Sequence, residues 1–102
     1  MHPAIAQHKS AISGICQRFH IQRLEVFGSA ARATDFNPET SDADFLVEFA
    51  ADAEHGLQSF FGVKNALEDV LGRGVDLIES GSVKNPFVLA SINAHKEAIY
   101  AA

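Results

Sequence analysis

The order and spacing of three strand-like segments restricts this chain most. Residues 21–27 alternate Leu24 and Val26 with Arg23 and Glu25, the period of a strand with one buried face. Around residues 44–49, Phe45, Val47 and Phe49 share one face, and Asp42, Asp44 and Leu46 the other. Residues 74–79 read as a third strand, followed by a turn at Ser80-Gly81-Ser82. The gap between the first two strands opens on Gly28-Ser29. It has room for one helical turn over residues 30–33, then a loop over 34–41 that contains Asn37-Pro38. That gap is too short for a crossover helix, so the first two strands are expected to be antiparallel neighbours. Residues 54–71 separate the second strand from the third. Leu57, Phe60, Phe61, Leu67, Val70 and Leu71 fall there at helical spacing, with Gly72 and Gly74 to close the helix. A full helix permits a parallel crossover, right-handed by default.

Two further helices are expected. Residues 3–18 carry Ile5, Ile12, Ile15 and Phe19 near one face, with Pro3 suited to the first turn. At the other end, Asn85-Pro86 is a cap followed by the first helical position. Val88, Leu89, Ile92, Ile99 and Tyr100 would be the apolar face of that last helix. The expected order is α-β-turn-β-α-β-α, an α/β (α+β) domain with a small mixed sheet of three or slightly more strands. The chain has 102 residues, 47% of them hydrophobic, which supports one domain over residues 1–102 with one modest core.

Composition narrows the function. Thirteen acidic against eight basic residues give a formal charge of −5, which leaves no broad basic footprint for nucleic acid. No apolar run reaches the ~18 residues of a membrane span. The first residues lack a basic stretch followed by an apolar one, so export is not expected. A single cysteine, Cys16, excludes an internal disulfide and a thiolate cluster and agrees with a reducing cytoplasm. A phosphorylated ligand would need local help from backbone amides, an arginine or metal ions.

The expected topology supplies that help at one place. Gly28-Ser29 ends the first strand, Asp42 and Asp44 begin the second, and Asp76 stands near the start of the third. Antiparallel pairing followed by a parallel crossover brings all of them to one end of the sheet. Asp42 and Asp44 are two apart and point the same way on an extended chain. Carboxylates so close repel, and a divalent cation relieves that repulsion. Mg²⁺ favours one or two carboxylates together with phosphate oxygens and water. A third carboxylate permits a second ion, or a base for an attacking hydroxyl. Gly28 admits a phosphate close to the backbone, Ser29 adds a hydroxyl, and Arg32 lies one helical turn further on.

Plainer readings exist for each residue. Asp42 and Asp44 alone would pass for loop aspartates capping a turn. Asp76 is harder to place that way, because it sits between Val75 and Leu77 and an uncompensated buried carboxylate is costly. Arg32 has Asp35 and Glu39 as alternative partners. Glu48 and Glu79 read as solvated strand residues, Cys16 as a small core residue, and the histidines show no metal-ligand spacing. Phe60 and Phe61 read as core, with a partner surface as the other option.

Taken together, Phe27-Gly28-Ser29-Ala30-Ala31-Arg32, Ser41-Asp42-Ala43-Asp44-Phe45-Leu46-Val47 and Val75-Asp76-Leu77 resemble the nucleotidyltransferase superfamily related to DNA polymerase β. The resemblance is closest to the minimal nucleotidyltransferases (MNT), the antitoxin partners of HEPN-domain toxins, and spans nearly the whole chain. It implies that Gly28 and Ser29, with Arg32 nearby, meet nucleotide phosphates. Asp42 and Asp44 would bind Mg²⁺, with Asp76 as third carboxylate. The implied reaction is transfer of AMP from ATP to a tyrosine of the toxin, which silences its ribonuclease activity. An antitoxin that silences its toxin by binding alone is the other implied function. The stretch from Ala30 to Ser41 is two residues longer than the family's usual spacing.

Overall fold

The computed structural model describes residues 2–28, 42–53 and 56–102. Its elements are α1 (Pro3–Ala6), α2 (Lys9–Arg18), β1 (Ile21–Phe27), β2 (Ala43–Phe49), α3 (Leu57–Leu71), β3 (Val75–Glu79), α4 (Pro86–Ala94) and β4 (Glu97–Ala101). The strands form one mixed sheet in the order β3-β2-β1-β4. β1 runs antiparallel to β2, and β2 runs parallel to β3, the pairing that the two gap lengths require.

The core lies on one face of this sheet. Leu24 and Val26 of β1, Phe45 and Val47 of β2, and Val75 and Leu77 of β3 meet Ile5, Ile12 and Cys16 from the first two helices. Val63, Leu67 and Leu71 of α3 complete it. Cys16 is the expected core residue, and burial pushes its thiol pKa up to about 12. The adjacent phenylalanines part company. Phe60 packs against the core, while Phe61 is half exposed and meets Phe60 edge to face at 5.6 Å. Leu57 also stays outside.

Two helix expectations change. The helix expected over residues 3–18 breaks at Gln7 and His8, where His8 N–H donates to the Ile5 carbonyl in a tight turn. Ile5 and Ile12, on either side of the break, are both fully buried. The last helix ends at Ala94, and Glu97–Ala101 becomes a fourth strand along the free edge of β1. Ile99, expected on a helix face, is buried from that strand instead. Pairing with β1 satisfies backbone groups that a helix would have left open on that edge.

α3 is tied to the strand that follows it. Gly72 ends the helix in the left-handed region at φ +66°. Its N–H donates to the Glu68 carbonyl, and the Glu68 carboxylate accepts from the Val75 N–H and from Lys64 Nζ, both at 3.2 Å. The hydrogen bond from Val75, and then that from Lys64, hold the Glu68 pKa below its ordinary value. A lowered carboxylate pKa stabilises the folded chain above the unfolded pKa, and the gain vanishes as pH falls through the folded one. The thermal midpoint of Glu68→Gln should therefore lie below the parent's at neutral pH. The two should converge on acidification below about pH 4; a constant offset would contradict the assignment.

Candidate active site

The ladder fixes where the acidic positions stand. Phe27 at the end of β1 pairs with Asp44 of β2, and Asp44 pairs with Asp76 of β3. Paired residues share a face, so Asp44 and Asp76 lie side by side on strands about 4.8 Å apart. They occupy the face opposite the core, since Phe45 and Leu77 point inward. Asp42 precedes β2 on the same end. Asp42 is exposed and Asp44 half-buried. Asp76 is exposed too, which corrects the expectation of a carboxylate set in an apolar surround. β3 is an edge strand, and Asp76 stands on its water-facing side.

Two glycines make room for two of these carboxylates. Gly28 has φ +68°, and a Cβ there would stand 2.5 Å from Asp44 Oδ2. A Cβ on Gly74 would stand 2.6 Å from Asp42 Oδ1. The Gly74 carbonyl accepts from the Ala43 N–H at 3.1 Å, which anchors the chain between the two aspartates. Among the described residues no three carboxylate, imidazole or thiolate groups converge on one point. The donor set on this edge is all oxygen, and two carboxylates nestle where a Cβ would otherwise be. Such a set fits a hard divalent cation held by one or two protein ligands and completed by phosphate and water. Ser29 and Arg32, expected to meet phosphate, lie outside the described residues, as do the helical turn and loop expected over 30–41.

A cleft of about 420 Å³ adjoins this edge, with Gly28 and Asp44 on one side. Its other side is α4, which contributes Phe87, Val88 and Ser91. Sequence reading did not connect α4 with the site. The available signal was that Phe87-Val88-Leu89 makes the helix apolar all round, more than one buried contact needs. Only Ile92 of α4 is buried. Larger hollows of about 530 and 600 Å³ lie against Leu57 and Phe60 and against Arg18 and His20. Neither touches an acidic position of the edge, so chemistry rather than size selects the smaller cleft.

Glu25 shares the acidic face, two residues before Phe27, yet it does not extend the acidic edge. It is buried against expectation, with 6% of its surface exposed. Arg23 Nη2 stands 3.4 Å from Oε2, and Lys96 Nζ 3.6 Å from Oε1. Two cations offset the charge that burial penalises, and Lys96 thereby ties the start of β4 to β1.

The nucleotidyltransferase domain family matches residues 8–101, and the chain belongs to that family. A protein of Methanocaldococcus jannaschii named "Putative protein adenylyltransferase MJ0128" is 34% identical over 88 residues, 86% of this chain and 83% of that protein. Among solved structures, one described as a putative minimal nucleotidyltransferase superposes with a TM-score of 0.71 at 30% identity. It covers 89% of this chain and 88% of its own. A complex of tri-AMPylated Shewanella oneidensis HEPN toxin with its MNT antitoxin matches with a TM-score of 0.66 at 17% identity. That match covers 94% of this chain and 71% of the matched one, and shows a shared fold. No helix among the described residues is long and apolar enough to cross a membrane.

Proposed function

We propose that the chain is an antitoxin that transfers AMP from ATP, with Mg²⁺, to a tyrosine hydroxyl of a partner HEPN ribonuclease toxin and so neutralises it in the cytoplasm. The observation that carries this reading is the pairing of Asp44 with Asp76 beside Gly28, whose missing Cβ leaves space for the Asp44 carboxylate. The adenylyltransferase name of the Methanocaldococcus relative and the AMPylated toxin in the Shewanella complex support the choice of group and acceptor.

In this reading Asp42 and Asp44 hold the cation, and Asp76 is placed to hold a second or to take the acceptor proton. Gly28 and Ser29 offer backbone and hydroxyl donors to the phosphates, and Arg32 adds charge to the same anion. Bound Mg²⁺ would supply neutralisation of the triphosphate and polarisation of its α-phosphorus. The acceptor oxygen forms a bond to the α-phosphorus as the bond to the bridging oxygen breaks. Pyrophosphate leaves on the far side, and the hydroxyl proton passes to Asp76. The chain's contribution is positioning and electrostatics.

Incubation with α-labelled ATP, Mg²⁺ and the cognate toxin should label the toxin; a well-folded pair that takes up no label would overturn the reading. The two extra residues between Ser29 and Asp42 favour a second reading, neutralisation by binding alone. In that case a chain with both Asp42 and Asp44 changed to Asn would still silence the toxin.

A further inference from the structure

The inference drawn here rests on the nucleotidyl-transfer reading and concerns the far wall of its cleft. Phe87 and Val88 stand on that wall with 84% and 44% of their surfaces exposed, while Ile92 of the same helix is 4% exposed. A phenyl ring left in water forgoes the hydrophobic gain of burial. The backbone that carries it is nevertheless fixed. Asn85 Oδ1 accepts from the Phe87 N–H at 2.9 Å and the Val88 N–H at 3.3 Å, and Pro86 occupies the first turn. Capping and proline together hold the helix start in one conformation, so the ring is presented at the cleft mouth by a built feature.

The opposite wall is Gly28 and Asp44, the phosphate and cation side. A nucleotide with its phosphates there carries a planar base one ribose away. A cleft of about 420 Å³ lies within the usual range for small-molecule sites. The α4 wall offers such a base an aromatic face, an aliphatic surface and one side-chain hydroxyl, that of Ser91. Reading a base by its edge takes donors and acceptors in a matched pattern, and among the described residues of this wall a single hydroxyl, donor and acceptor at once, does not supply one. Stacking, by contrast, accepts every base.

We infer that the α4 wall led by Phe87 is the nucleobase site of this chain, and that it holds the base by stacking without strong discrimination among nucleoside triphosphates. A tyrosine ring of an incoming protein is the rival occupant of the same wall. It arrives only with the partner, so nucleotide binding measured without a partner separates the two.

Calorimetric titration of the full chain with ATP, GTP, CTP, UTP and inorganic triphosphate, each with Mg²⁺, tests this. The four nucleotides should bind within roughly tenfold of one another, and each roughly tenfold or more tighter than inorganic triphosphate. Phe87→Ala should weaken every nucleotide roughly tenfold, leave inorganic triphosphate unchanged, and melt like the parent because the ring is exposed. Phe87→Tyr should retain binding. Nucleotides that bind no tighter than inorganic triphosphate, or a Phe87→Ala chain that binds them like the parent, overturn the base site and leave nucleotidyl transfer standing. A preference beyond roughly a hundredfold for one base overturns the claim of weak discrimination. If none of the five ligands binds, the nucleotidyl-transfer reading itself falls, and the base site with it.

Discussion

Changing Asp42 and Asp44 together to asparagine should abolish labelling of the partner while leaving the chain as stable as before. The loss expected is roughly a thousandfold or more, on the order of 4 kcal/mol of barrier, because cation and phosphate stabilisation is most of what such a site contributes. Stability should not follow. Asn has the shape of Asp, and neither residue belongs to the core on the other face. Without Mg²⁺ the double variant should melt close to the parent's temperature, since Asn keeps the shape of Asp and one of its accepting oxygens. With Mg²⁺ the parent should melt higher. Ligand binding stabilises the folded parent by mass action, and the variant has lost the two carboxylates proposed to hold the cation. Thermal midpoints with and without Mg²⁺ thus report on the carboxylates independently of any partner. A parent whose midpoint ignores millimolar Mg²⁺, and a double variant that still labels, would each contradict the assigned roles.

The acidic edge was legible in the sequence because its parts are local and their meeting follows from gap lengths. A gap too short for a crossover helix makes β1 and β2 antiparallel; a helix-length gap makes β2 and β3 parallel; and Asp44 then pairs with Asp76. What the sequence concealed depends on contacts between distant segments. Residues 97–101 carry Ile99 and Tyr100 among alanines, a composition open to either helix or strand, and the free edge of β1 selects strand. Phe87, Val88 and Leu89 spread the apolar residues of α4 around the helix, so no period tells which side faces the cleft. Asp76 reads as buried from its neighbours, yet the sheet order puts it on an outer strand. Glu25 reads as solvated from its alternation, but Lys96 reaches it from the position just before β4, a strand the sequence did not reveal.

Gly28→Ala should damage the site as well as the fold, and Gly72→Ala separates the two effects. Both glycines have nearly the same φ, +68° and +66°. An L-residue in that region costs roughly 1–2 kcal/mol, so both variants should lose about that much stability. Their surroundings differ. A Cβ at Gly72 meets nothing within 4 Å, whereas one at Gly28 stands 2.5 Å from Asp44 Oδ2, closer than real Cβ contacts. The Asp44 carboxylate must then turn away from its place beside Asp76. A displacement of about 1 Å at a reacting centre can lower rates roughly a hundredfold. Gly28→Ala is therefore expected to lose labelling about a hundredfold and to lose its thermal response to Mg²⁺, with Gly72→Ala keeping both. Equal labelling by the two variants, at equal melting temperature, would mean that the Gly28 turn is needed only for its backbone and that Asp44 tolerates being moved.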